Sequence, residues 1–137
     1  MPDVCVYVAA RAEELRESHA ALVAALRELG VKPVWSLIGE KLNTETAPLL
    51  MSAEGVLCFE THSTYHSAEL TFALGDASWE GDGRPLRGRP LSVFAYADGD
   101  DDMTGWIWRD SRIVRLPTDP IAAARQLVAG LSSKRTI

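Results

Sequence analysis

Val4-Cys5-Val6-Tyr7-Val8 is apolar or aromatic at all five positions. The run is rich in β-branched residues, too short for a helix, and has no polar face to turn toward water. A parallel strand at the centre of a sheet needs this composition, because its connecting helices cover it from both sides. Working outward, Gly55-Val56-Leu57-Cys58-Phe59 repeats the pattern, and Leu91-Ser92-Val93-Phe94-Ala95-Tyr96 and Ile113-Val114-Arg115-Leu116 read as two more strands. Val31 to Leu37 is a fifth; its Pro33 lacks a ladder N–H, which suits an edge.

Helical patterns fill the intervals. Leu15, Leu22, Val23, Leu26 and Leu29 form one apolar stripe, stopped by Gly30. Leu42 to Ala53 reads as a loop entering a short helix, with Pro48 in its first turn. A third helix runs from Ser63 to about Ala77 and buries Leu70, Ala73 and Leu74. Asp119-Pro120 caps a last helix that buries Ile121, Ala124, Leu127, Val128 and Leu131. Trp79 to Arg89, dense in glycine and mixed charge, reads as a surface loop, and Trp106 and Trp108 alternate as they would in an extended segment.

Five strands interleaved with helices predict one α/β domain over residues 1–137: a doubly wound five-stranded parallel sheet, order 2-1-3-4-5, with helices on both faces. In that order the winding reverses between the first and third strands, and ligands bind at the carboxyl ends of those two. The segments to search are therefore Ala9–Glu13 and Glu60–Glu69.

The 137 residues amount to about one domain. Hydrophobic residues at 47% and charged residues at 24% exclude a disordered chain. Fourteen Lys and Arg against nineteen Asp and Glu leave a net charge of −5, which argues against nucleic acid as a partner. No apolar run approaches the ~18–20 residues needed to cross a bilayer, so no membrane partner is expected. Met1-Pro2-Asp3 lacks the basic start of a secretory signal, and a cytoplasmic location is expected. Cys5 and Cys58 each sit in an apolar run and read as buried reduced thiols. His19, His62 and His66 form no metal-ligand pattern, so no metal is expected.

Neither loop carries a phosphate-cradling glycine motif. Ala9 and Ala10 stand where a phosphoacceptor domain would have acids, leaving Arg11 as an anion contact. The second loop is richer. Ser63 or Thr64 is a good N-cap. Tyr65 and Glu69, four apart, share a helical face, so an aromatic platform and a carboxylate point to one cleft.

Ser63-Thr64-Tyr65-His66-Ser67-Ala68-Glu69-Leu70 resembles the S-x-W-x-x-x-E-[LI] motif of the Toll/interleukin receptor (TIR) domain family, with Tyr65 in place of Trp. Asp3-Val4-Cys5-Val6-Tyr7 resembles that family's opening strand, Gly30 to Trp35 its second, and Arg89 to Phe94 its fourth. The resemblance implies a flavodoxin-like fold and a bacterial-type NAD-cleaving activity. In it Glu69 is the catalytic residue, and Tyr65, Ser63, His62, His66, Ala9 and Arg11 line the substrate site. NAD is then substrate, and no cofactor is implied. The resemblance also implies a homo-oligomer formed through the segment Ser36–Ala47, with a trigger in self-association or in a separate activating protein. Two other readings stay open: a nucleoside or nucleotide N-glycosidase or deoxyribosyltransferase of related fold, and a non-catalytic interaction module.

Asp98-Gly99-Asp100-Asp101-Asp102 mimics the start of a calcium loop, but Met103 occupies the place of the required Gly and Arg109 that of the bidentate Glu. It reads as a solvated acidic turn.

Overall fold

In chain order the elements are β1 (Val4–Ala9), α1 (Glu17–Glu28), β2 (Val31–Trp35), β3 (Gly55–Phe59), β4 (Trp79–Gly81), β5 (Arg84–Leu86), β6 (Ser92–Tyr96), a 3-10 helix (Trp106–Trp108), β7 (Ile113–Arg115) and α2 (Pro120–Arg135). The computed structural model describes residues 4–10, 15–35, 50, 52–60, 70–71, 73–74, 79–81, 84–86, 91–98 and 105–135. The main sheet has the order β2-β1-β3-β6-β7 and is parallel throughout. This is the expected doubly wound order, with two strands of a separate hairpin inserted in the numbering. β2 lies at an edge, where Pro33 is opposite Val6.

Period-two alternation divides the central strands between two cores. Val6, Val8, Leu57, Phe59, Phe94 and Tyr96 face α1 and α2, which supply Leu22, Val23 and Leu26 and then Ala123, Ala124, Leu127 and Leu131. Tyr7, Ala9, Val56, Cys58, Val93 and Ala95 face the other way, onto Leu50, Ala53, Leu70, Ala73, Leu74, Ile107 and Trp108. Each large side chain buried in this way is worth about 1.5–3 kcal/mol against leaving it in water. On this second face Leu50, Ser52, Leu70, Thr71 and Ala73 are helical, and the Leu74 amide donates to the Leu70 carbonyl at 3.0 Å. The expected stripe of Leu70, Ala73 and Leu74 is therefore in the core; the start of that helix at Ser63 lies outside the described residues.

Helix ends follow the sequence signals. Gly30 adopts φ +87°, the left-handed conformation that lets the chain leave α1 and enter β2. Asp119 Oδ2 accepts the Ala122 amide at 2.9 Å and caps α2, with Pro120 at the first helical position. Two apolar positions depart from expectation: Leu29 is 46% exposed and Ile121 57%. Both stand at helix ends, Leu29 as the C-cap and Ile121 in the first turn, where continuing a periodic stripe no longer points at the sheet. Cys58 is buried, whereas Cys5 is only half-buried; both are free thiols.

Two segments fold differently from their reading. Trp79 to Arg89 contains a two-stranded antiparallel ladder, with Trp79 opposite Leu86 and Gly81 opposite Arg84. Asp82-Gly83 between the paired residues is a favoured two-residue hairpin sequence, hidden in the reading by the overall glycine density. Trp106 to Trp108 is a 3-10 helix rather than extended, closed by Trp108 N–H to Gly105 O at 3.1 Å and Arg109 N–H to Trp106 O at 3.0 Å. Among the described residues no helix is long and apolar enough to cross a membrane.

Gly55 opens β3 beneath α2. A Cβ there would lie 2.8 Å from Leu131 Cδ2 and 3.2 Å from the Ser92 carbonyl oxygen. The carbonyl belongs to a paired strand and cannot retreat. Gly55→Ala is expected to lower stability by about 1–3 kcal/mol, the usual cost of overpacking; urea unfolding reads this directly, and an unchanged midpoint would show that α2 shifts freely.

Candidate functional site

The winding reverses between β1 and β3, so the crevice that this topology creates opens at their carboxyl ends. Ala9 and Ala10, at the end of β1, have no accessible surface. Of the other residues implicated by sequence, Glu69, Tyr65, Ser63, His62, His66 and Arg11 lie outside the described residues, as does the segment Ser36–Ala47. What the structure adds is a set of polar side chains on this same edge, held by contacts far apart in sequence.

One set joins the start of α1 to the end of β6. Arg16 Nη2 lies 3.2 Å from Asp98 Oδ2, and the Ser18 hydroxyl donates to the same oxygen at 2.8 Å. Asp98 is thus a structural anion with a side chain 15% exposed, not the solvated acid expected at that position. Residues 99–102 lie outside the described residues. An anion close to the first turn of a helix also meets the positive end of the helix dipole. His19, wholly buried, stacks on Phe59 with ring centroids 4.2 Å apart and meets the Tyr96 ring edge-on at 5.9 Å. The Arg16 amide donates to His19 Nδ1 at 3.4 Å, the part that Glu or Gln plays in an ordinary capping box. Arg16 Nη2 stands 3.5 Å from Nε2. Only one nitrogen of a neutral imidazole accepts, so these two contacts alternate. Arg-x-x-His is not a recognised helix-start signal, and nothing in the sequence distinguishes His19 from a surface residue.

A second carboxylate stands at the end of β3. Glu60 Oε1 accepts the Gly105 amide at 3.2 Å. A Cβ at residue 105 would fall 2.6 Å from that oxygen, so a side chain there would displace the carboxylate from its present position. Glu60 was part of the segment read as the second crevice loop, but its partner is 45 residues away. Two residues back, the Cys58 thiol donates to the Phe94 carbonyl at 3.4 Å. Burial, reinforced by the negative charge of Glu60, pushes this thiol up from 9.0 to about 12. Cys58 is therefore a core residue rather than a nucleophile.

The edge thus offers a fixed carboxylate beside the reversal point and a capped helix start, backed in the core by Phe59 and Tyr96, whose buried rings lie 6.2 Å apart and nearly perpendicular. The chain matches no protein-family model and no curated protein.

The raised Cys58 thiol has a consequence for stability. The folded thiol keeps its proton up to about pH 12, and the unfolded one releases it near 9.0. Its contribution is full below pH 9.0 and is lost as pH rises toward 12, at up to ~1.4 kcal/mol per unit. In a Cys5→Ser variant, alkylation should report Cys58 alone and proceed only through unfolding. Adding Glu60→Gln should bring the thiolate absorbance to lower pH; an unmoved titration would separate Glu60 from Cys58.

Proposed function

We propose that this chain is a TIR-type enzyme that cleaves the nicotinamide–ribose bond of NAD, with Glu69 as its catalytic carboxylate. The observation that carries this reading is the junction of motif and fold. The run from Ser63 to Leu70, ending in Glu69-Leu70, leads into a stripe whose first member, Leu70, is wholly buried. That stripe covers a sheet whose winding reverses between β1 and β3, the strand from which the run departs.

The chemistry needs little more than one carboxylate. Nicotinamide in NAD is a cationic ring, and it departs as a neutral molecule, taking the electron pair of the C1′–N bond. No general acid is required. The barrier is the positive charge that develops on the ribose, and a carboxylate fixed in a water-poor crevice stabilises it. Water then bonds to C1′ and releases a proton, giving ADP-ribose; attack from within the molecule gives a cyclic product. In this reading Tyr65 stacks on the nicotinamide ring. Ser63, His62 and His66 bond the ribose or phosphates, Ala9 floors the site, and Arg11 pairs with the pyrophosphate. Self-association through Ser36–Ala47, or a separate activating protein, completes the site.

Purified protein incubated with NAD, at dilute and at crowded concentration, should release nicotinamide. Glu69→Gln should reduce the rate by about 100-fold or more, the scale of losing one electrostatic stabiliser. Nucleosides and nucleotides run in parallel identify the substrate by product. Equal turnover by wild type and Glu69→Gln would remove Glu69 from the mechanism, and nucleoside cleavage without NAD cleavage would favour the related glycosidases.

A further inference from the structure

A cavity of about 550 Å³ opens at the carboxyl ends of β6 and β7, two strands along the sheet from the β1–β3 reversal. Its volume lies within the range that small-molecule sites occupy, ~300–1,000 Å³. Ala97, Leu116 and Pro117 supply apolar walls, and Trp108 a large flat one. Thr118 completes the lining, its carbonyl fixed by the Tyr96 hydroxyl at 2.7 Å. The charged members of the lining are Arg109 and Arg115.

These two arginines differ from the one between them. Arg112 is held by Asp110 through two bonds, Nε to Oδ1 at 2.9 Å and Nη2 to Oδ2 at 2.6 Å. Among the described residues no carboxylate pairs with Arg109 or Arg115. Arg115 is nevertheless positioned: it donates to the Trp108 carbonyl, and its guanidinium carbon lies 5.5 Å from the Trp108 ring centroid. Among the described residues the Trp108 indole N–H, itself buried, has no hydrogen-bond partner, an uncommon state for a native donor. A chain of net charge −5 thus brings two guanidinium groups, without a carboxylate partner among the described residues, to an apolar hollow walled by an indole.

We propose that this cavity is a binding site for an aromatic anion: a planar ring carrying a phosphate or a carboxylate. The ring lies against the apolar walls and the guanidinium plane of Arg115, a surface on which heteroaromatic rings stack. Arg109 and Arg115 pair with the anionic group through charge-assisted hydrogen bonds. Neither part suffices alone, since a bare anion leaves the apolar walls wet and a neutral ring leaves the cations unpaired. The site uses none of the residues assigned to NAD cleavage and does not depend on that reading.

Calorimetric titration of the intact protein tests this with four probes: adenosine monophosphate, 2-naphthoate, adenosine and ribose 5-phosphate. At least one of the two aromatic anions should bind, about tenfold or more tightly than adenosine or ribose 5-phosphate, as expected for adding one charge-assisted contact to a buried ring. The tighter of the two anions distinguishes a nucleotide from an aromatic acid. Arg115→Gln should weaken binding about tenfold. Arg109→Gln, at an exposed position outside the core, provides the same test should Arg115→Gln unsettle the Trp108 contact. The proposal is overturned if neither aromatic anion binds up to millimolar concentration, or if binding is the same in wild type and in Arg109→Gln, which would place the anion elsewhere.

Discussion

Burial of the central strands on both faces is the constraint from which the rest of this structure follows. Every residue of β3 is buried, and the last four of β1 and of β6 are as well. A strand in that position has no face left for polar chemistry, because an unpaired polar side chain there would cost more than packing returns. Function is therefore pushed to the strand ends. Parallel pairing gathers all carboxyl ends on one edge of the sheet, and the reversal between β1 and β3 opens a crevice there.

The described part of that edge is built from side chains tied to distant backbone. Asp98 at the end of β6 accepts from Ser18, 80 residues earlier, and Glu60 at the end of β3 accepts from Gly105. These bonds link the first turn of α1, the exit of β6 and the loop before the 3-10 helix. His19, packed between Phe59 and the Arg16 amide, carries the same connection into the core. The edge is thus pre-organised around carboxylates held by backbone, hydroxyl and guanidinium donors, the arrangement that keeps charge fixed without reorganisation.

Much of the fold was legible in the sequence because its signals are local. Short apolar runs marked the five parallel strands, Pro33 marked the edge, and Gly30 and Asp119-Pro120 marked helix ends through conformation and capping that involve neighbours only. Errors arose where neighbours do not decide. Leu29 and Ile121 continue a helical period past the point where the helix faces the sheet. Trp106-Ile107-Trp108 has the alternation of a strand, but i to i+3 hydrogen bonds wind it into a 3-10 helix. At the site, Glu60 and Asp98 look like ordinary loop acids, since the partners that immobilise them are 45 and 80 residues away. The cavity by Trp108 was equally hidden, because it depends on β6 and β7 ending side by side.

The central claim is that ligand chemistry occurs at the carboxyl ends of β1 and β3. Amide chemical shifts of the Glu69→Gln variant, followed by NMR as NAD is added, test it most directly. The account predicts saturable shifts grouped at Ala10, Glu60 and Gly105. Shifts grouped instead at the opposite edge, around Val31, Gly55 and Ser92, would contradict it.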